Sequence, residues 1–160
     1  MIHIGIDPGS RTGAYAIMLP EKTGRGMIVK PWDNDEFVHD IRDIATLVER
    51  TALSGENWKA KACVEKVGAM PKQGVSSTWV FAENYGYIQG VLHAFGIPFQ
   101  LVPPRVWKKA YSLTSDKAKS IDVCHRLFPD ISLKRSERCR TDDSNFAEAI
   151  LIAEYGRRNL

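Results

Sequence analysis

The first nineteen residues contain the pattern that most constrains the fold. Isoleucines at positions 2, 4 and 6 alternate with other residues, which predicts a strand with one apolar face over residues 2–7. Pro8-Gly9-Ser10 then predicts a turn, and the apolar run at 13–19 predicts a returning strand. Residues 27–29 are a candidate third strand, so we expect the chain to begin with an antiparallel meander.

The rest of the chain alternates between helical and strand patterns. Apolar spacing predicts helices over residues 35–53, 76–95, 104–110, 116–128 and 144–157, and strands over 61–67 and 98–102. This order indicates an α/β layered domain. Because the 160 residues contain no repeat and no long linker, we predict a single domain over residues 1–160.

Composition and the N-terminal segment exclude several classes of protein. The 44% hydrophobic and 26% charged content is typical of a globular chain rather than a disordered or fibrous one. Three scattered cysteines cannot form a disulfide framework, which favours a reducing compartment. No apolar run reaches the roughly 18–20 residues of a membrane span, and the first ten residues lack the basic start of a signal peptide. We therefore expect a cytoplasmic protein with no membrane partner.

Positive charge is concentrated in one quarter of the chain. Residues 101–140 carry ten lysines and arginines against four acids, a net charge of +6, whereas the other residues carry 12 against 15. Such a concentration is typical of a surface that faces a polyanion such as nucleic acid. The alternative is a solvated surface with an uneven distribution of charge.

Three carboxylates occupy unusual places in the predicted elements. Asp7 ends the first strand, Glu65 lies inside an apolar strand, and Glu148 shares a helical stripe with apolar residues. Each has an ordinary explanation: Asp7 as a turn former, Glu65 as half of a surface ion pair, and Glu148 as an acid near a helix N-terminus. Taken together, they predict an all-oxygen cluster that holds Mg²⁺ or Mn²⁺ rather than zinc. Two such cations, roughly 3.5–4 Å apart, can hydrolyse a phosphodiester.

Five segments in order resemble RuvC-type Holliday junction resolvases, with most likeness to their phage branch. The segments are IGIDPGSRTG (4–13), VEKVG (64–68), NYGYIQGVL (84–92), VPPRVWKKAYSLTSDKAKS (102–120) and FAEAILIAEYGRR (146–158). The resemblance implies a ribonuclease H-like fold with a five-stranded mixed sheet flanked by helices. It also implies a homodimer that cuts two opposing strands of a four-way DNA junction with two Mg²⁺ or Mn²⁺ ions per site, in a bacterial or phage-infected cell.

The family's functional residues can be matched position by position. Asp7 and Glu65 match the first two metal-binding acids, and Glu148 matches the last, which is usually Asp in the bacterial enzymes. Lys117, expected to be catalytic, and Lys108 match lysines that contact the phosphates near the cut. The expected DNA-binding residues are Arg11, Lys72, Lys108, Lys109, Lys117 and Lys119.

The fourth acid is where the sequence departs from the family. The family has Asp, or sometimes His, three or four residues before the last acid, but this chain has Asn145 and Ser144 there. Either Asp143 or Asp142 reaches the metal ions, or Asn145 occupies the ligand position and weakens cleavage. We take Asp143 as the predicted ligand and keep a catalytically impaired junction-binding form as an alternative.

Two other functions compete with junction resolution. DPGSRTG resembles the phosphate-binding turn of the actin and sugar-kinase ATPases, but that class needs a second domain of similar size, so we expect no nucleotide cofactor. A monomeric nuclease of the ribonuclease H-like fold is the other alternative.

Overall fold

The structure is a computed structural model that describes residues 1–9, 12–20, 26–69, 74–114 and 116–160. The strands are β1 (Ile2–Asp7), β2 (Ala14–Met18), β3 (Met27–Pro31), β4 (Ala60–Glu65) and β5 (Phe99–Val102). The helices are α1 (Asn34–Leu53), α2 (Val75–Ala94), α3 (Pro104–Ala110), α4 (Lys117–Leu127) and α5 (Ser144–Asn159).

The strands form one mixed sheet in the order β3-β2-β1-β4-β5. The pairs β1–β2 and β2–β3 are antiparallel, which confirms the predicted meander, whereas β1–β4 and β4–β5 are parallel. The first strand therefore lies at the centre of the sheet. The prediction of a five-stranded mixed sheet flanked by helices is confirmed.

The two faces of the sheet bury different sets of residues. The isoleucine face of β1 packs with residues of α1 and α2, including Phe37, Ile41, Ile88 and Leu92. The opposite face packs against α5, joined by residues of α3 and α4 such as Trp107 and Cys124. Since Asp7 and Glu65 alternate with the isoleucine-face residues along their strands, both acids belong to the α5 face.

Glycine at position 5 allows α5 to lie directly on β1. A Cβ atom there would be 2.2 Å from the main-chain oxygen of Ala149 and 2.2 Å from the nitrogen of Ala153. These distances are far below any van der Waals contact. The backbone of α5 therefore approaches the centre of the sheet as closely as a side chain would elsewhere.

Element boundaries differ from the predictions by one or two residues. β4 ends at Glu65 rather than at Val67, although the Lys66 N–H still donates to the Val102 carbonyl at 2.8 Å. α2 begins at Val75, and the N-cap of α1 is Asp33, whose carboxylate accepts a hydrogen bond from the Glu36 N–H. In the part of the chain that the structure describes, no helix combines the length and apolarity of a membrane span.

Candidate active site

Asp7 and Glu65 lie side by side because of the register between two parallel strands. Ile6 of β1 pairs with Val64 of β4, so the next residue of each strand is one of the two acids. Carboxyl ends of parallel strands meet at the same edge of a sheet. The sheet therefore brings together two carboxylates that are 58 positions apart in the sequence.

The third carboxylate reaches this edge from α5. Glu148 is 5% exposed and lies one residue before Ala149, which packs over Gly5. The close packing of α5 on β1 thus sets the height of Glu148 above the strand ends.

A cleft of about 360 Å³ lies between these three acids. Its wall also contains the turn after β1, one aromatic side chain of α2, one lysine and one amide. The lining residues are Asp7, Pro8, Gly9, Thr12, Gly13, Glu65, Phe81, Lys117, Asn145 and Glu148. The acids predicted from the strands and the last helix therefore share one concave surface.

The electrostatics of the cleft disfavour three separate negative charges. Burial, followed by the neighbouring Glu65 and Glu148 carboxylates, raises the pKa of Asp7 to about 8, against a smaller lowering by Lys117 and Lys108. Burial also raises the pKa of Glu65, while the hydrogen bond from Trp107 acts in the opposite direction. Without a cation, Asp7 therefore holds a proton at neutral pH.

Glu65 and Glu148 each have a hydrogen-bond donor from the segment that follows β5. The indole Nε1–H of Trp107 donates to Glu65 Oε1 at 2.9 Å, and both side chains are buried. The ammonium of Lys108 lies 3.0 Å from Glu148 Oε1, to which the Ser120 hydroxyl also donates at 3.3 Å. The ordinary explanation of Glu65 as a surface ion pair is therefore wrong, because its partner is a buried indole.

Asp143 and Asp142 are not among the residues that line the cleft, and each already has other partners. Asp143 caps α5 by accepting from the Asn145 N–H at 2.8 Å, and it forms an ion pair with Arg135. Asp142 lies 2.7 Å from the ring of His125. Asp143 as a metal ligand stays a prediction that would require it to exchange these contacts.

Asn145, in contrast, belongs to the cleft wall. Its Nδ2 donates to the main-chain carbonyl of Thr12 at 2.5 Å, and its Oδ1 accepts from Lys117 at 3.3 Å. Arg135 donates to the same Thr12 carbonyl at 3.1 Å. Position 145, at which the resemblance leads one to expect an acid, is thus occupied by an amide whose two polar atoms both have partners.

The donor set of the cleft suits a hard divalent cation. Carboxylate and amide oxygens are the ligands that Mg²⁺ and Mn²⁺ prefer, and Asp7, Glu65, Glu148 and Asn145 supply them to this cleft. Within the described ranges, no three acidic, histidine or cysteine side chains already form a group that could hold a metal ion. Trp107 and Lys108 each donate to the Oε1 atom of their glutamate, so a cation would bind Glu65 and Glu148 through Oε2.

Four of the six predicted basic residues lie within the described part of the chain. Lys117 begins α4 and lines the cleft, whereas Lys108 and Lys109 border an adjacent hollow with Arg105. Lys119 is exposed on α4. Arg11 and Lys72 lie outside the described residues.

Sequence reasoning missed Trp107, Ser120 and Arg135. One signal pointed towards the first of these: a glutamate in an apolar strand requires a buried partner. That partner is 42 residues further along the chain, so no local sequence pattern could identify it.

The sheet order and the helices on both faces define a ribonuclease H-like fold. The chain is similar to Thermus thermophilus RuvC in complex with a Holliday junction substrate, at 16% identity and a TM-score of 0.57 over 99% of this chain and 96% of that chain. Another structure of Thermus thermophilus RuvC matches at 16% identity and a TM-score of 0.53, with the same coverage. At this identity, the likeness establishes the shared fold.

Comparison with protein-family models finds no match, and comparison with curated proteins finds none either.

Proposed function

We propose that this protein is a structure-selective endonuclease that resolves four-way DNA junctions by paired phosphodiester hydrolysis. The observation that carries the proposal is the cleft in which Asp7, Glu65 and Glu148, from three different elements, face Lys117. Carboxylates beside a lysine suit a site that handles phosphate oxygens with the help of a cation. The fold shared with RuvC, which is known in complex with a Holliday junction substrate, supports the choice of substrate.

Asp7, Glu65 and Glu148 would hold Mg²⁺ or Mn²⁺, with two ions in each site. When bound, the ions supply the charge that activates water and stabilises the leaving oxygen of the phosphodiester. The fourth protein ligand is a choice among Asp143, Asp142 and Asn145. We favour the Asn145 oxygen, because Asn145 lines the cleft while Asp143 caps α5 and pairs with Arg135.

The other residues of the cleft position and neutralise the charged groups. Lys117 would contact a scissile-region phosphate, and its hydrogen bond to Asn145 holds its ammonium at the cleft wall. Lys108 would share its charge between Glu148 and the DNA backbone, since its side chain is partly exposed. The proton on Asp7 must leave when a cation binds, so we expect cation binding to strengthen as the pH rises towards 8.

DNA affinity would come mainly from the basic quarter of the chain. Phosphate contacts by lysine and arginine supply most of the sequence-independent affinity for DNA. The proposed contacts are Arg11, Lys72, Lys108, Lys109, Lys117 and Lys119.

We also propose that the protein acts as a homodimer, because two opposing strands of a two-fold junction require two sites related by a two-fold axis. The outer side of α2 offers a surface for this contact. Val75, Trp79 and Val80 are exposed there, and the space around Gly86 and Gly90 is open. Sedimentation velocity would give a dimer for the wild type and a monomer for Gly90→Arg.

A second candidate function is junction binding with weak cleavage. The observation that favours it is Asn145, whose neutral oxygen binds a cation less strongly than a carboxylate would. Binding without cleavage in both Mg²⁺ and Mn²⁺ would support this candidate.

The test of the main proposal uses an immobile four-way junction with one labelled strand at a time. We expect symmetrical nicks in opposing strands with Mg²⁺, and none in linear duplex of the same sequence. Asp7→Asn is the matched control and should bind the junction without cutting it. Cleavage by Asp7→Asn at the wild-type rate would contradict the assignment of the site.

A further inference from the structure

One side chain of α3, Trp107, contacts one acid of the cleft directly and contacts the lysine that pairs with another. Trp107 is completely buried and packs with Cys63 of β4, Val102 of β5 and Leu151 and Ile152 of α5. Leucine or phenylalanine would satisfy such an apolar environment equally well. The indole adds a single polar atom, so the direction of its N–H is the informative feature.

The N–H of Trp107 donates to Glu65 Oε1 at 2.9 Å. Glu65 is only 8% exposed, so water cannot easily replace this donor. Hydrogen bonds to charged groups are short and strong when both partners are buried. The rigid indole, buried among residues of β4, β5 and α5, therefore fixes one oxygen of the carboxylate and with it the direction of the other.

The face of the same indole supports the next residue of the helix. The ammonium of Lys108 lies 5.1 Å from the centre of the Trp107 ring, within the range of a cation–π contact. Lys108 in turn lies 3.0 Å from Glu148. Consecutive residues of α3 thus reach one acid on the sheet and one on the last helix.

We propose that Trp107 is the positioning residue of this site: its N–H orients Glu65 directly, and its ring orients Glu148 through Lys108. The proposal rests on the proposed function in that Glu65 and Glu148 are taken as cation ligands. Partners that orient ligating carboxylates typically contribute roughly 10–100-fold to metal affinity or activity. Trp107 and Lys108 would therefore determine the affinity with which Glu65 and Glu148 bind a cation.

The test compares Trp107→Phe with Trp58→Phe in the full chain. Trp107→Phe keeps an aromatic ring beside Lys108 and removes the N–H, whereas Trp58 packs against the core of the opposite face of the sheet. Calorimetric titration with Mn²⁺ alone measures affinity without any cleavage. We expect roughly 10–100-fold weaker binding for Trp107→Phe, wild-type affinity for Trp58→Phe, and unchanged junction binding in EDTA for both.

The outcomes separate this inference from the proposed function. A dissociation constant for Mn²⁺ within twofold of the wild type in Trp107→Phe would overturn the positioning role. If the wild type binds Mn²⁺ but leaves the junction intact, the proposed function fails, and the same two constants still decide the role of Trp107. If the wild type binds no Mn²⁺ at millimolar concentration, both proposals fall.

A second measurement applies even if Trp107→Phe does not fold. The ¹⁵N–¹H signal of the Trp107 indole should move in Glu65→Gln, because the acceptor loses its charge, while the Trp58 signal stays in place. An unmoved Trp107 signal would show that the indole does not hold Glu65.

Discussion

The side-chain amide of Asn145 donates a hydrogen bond to the main-chain carbonyl of Thr12, 2.5 Å away across the cleft wall. This contact joins the N-terminus of α5 to the turn that follows β1. A carboxylate at position 145 cannot make it, since it has no proton to donate at neutral pH. The Thr12 carbonyl therefore requires a hydrogen-bond donor at position 145, which the amide of Asn145 supplies.

Asn145→Asp should have opposite effects on stability and on metal binding. Without metal, it places a carboxylate against the Thr12 carbonyl, and we expect a loss of about 1 kcal/mol in the free energy of unfolding. With Mn²⁺, the added carboxylate should increase the metal-induced rise in melting temperature. Thermal unfolding in EDTA and in Mn²⁺ measures both effects.

Asn145→Ala is the matched control, because it removes the same hydrogen bond without adding charge. It should lose similar stability in EDTA and show no increase in the response to Mn²⁺. Equal melting temperatures for the wild type and Asn145→Asp in EDTA would contradict the role given to the Thr12 contact.

Asp7→Asn should stabilise the metal-free protein in a pH-dependent manner. The pKa of Asp7 is about 8 in the fold and about 3.9 in an unfolded chain. Between these values the folded state holds a proton that the unfolded state has released, so the wild type loses stability as the pH rises through this window. The asparagine variant has no such proton.

The difference in unfolding free energy between Asp7→Asn and the wild type should therefore grow from pH 4.5 to pH 8.5. We expect growth of at least about 1.4 kcal/mol, the equivalent of one pKa unit. Urea denaturation in EDTA at several pH values measures it. A constant difference over this range would refute the assignment of a raised pKa to Asp7.

Lys117→Ala should weaken junction binding mainly at low salt. Removing one phosphate contact reduces the slope of log affinity against log salt by about 1. The control is Lys59→Ala, an exposed lysine before β4, at the opposite end of that strand from Glu65. Fluorescence anisotropy at several salt concentrations measures the slope, and equal slopes for both variants would exclude Lys117 from the interface.

Gly5→Ala should prevent stable packing of α5 on the sheet. The added methyl group would lie 2.2 Å from backbone atoms of Ala149 and Ala153, which cannot move independently. We expect a loss of about 3 kcal/mol in the free energy of unfolding, the upper part of the range for overpacking, measured by urea denaturation. In contrast, Gly68→Ala, where nothing lies within 4 Å of the added Cβ, should change the free energy of unfolding by no more than about 0.5 kcal/mol, and a similar loss in both variants would contradict the packing described.

Periodicity predicted most of the fold because the strands and helices are strongly patterned. The alternating isoleucines of β1 and the turn at Pro8-Gly9 were sufficient for the antiparallel meander. Asp7 and Glu65 could be predicted to converge because both are acids on apolar strands, although the end of β4 at Glu65 was not predicted. Boundaries were less accurate, since ladder bonds such as that from Lys66 to Val102 depend on the neighbouring strand.

Contacts between distant segments could not be predicted in the same way. Asp143 is the carboxylate nearest in sequence to the position at which the resemblance leads one to expect an acid. In the structure, however, it caps α5 and forms an ion pair with Arg135. Trp107 is part of a short helix whose apolar pattern would fit a simple core residue. Only the packing of α3 against β4 and α5 brings its N–H to Glu65.

The most direct test of the central claim uses a supercoiled plasmid that extrudes a cruciform. Two coordinated cuts across the four-way junction convert it to a linear product, whereas a single cut gives only a nicked circle. We expect the wild type to produce linear plasmid with Mg²⁺ or Mn²⁺ and Asp7→Asn to leave it supercoiled. An intact or merely nicked plasmid with the wild type in both metals would contradict junction resolution.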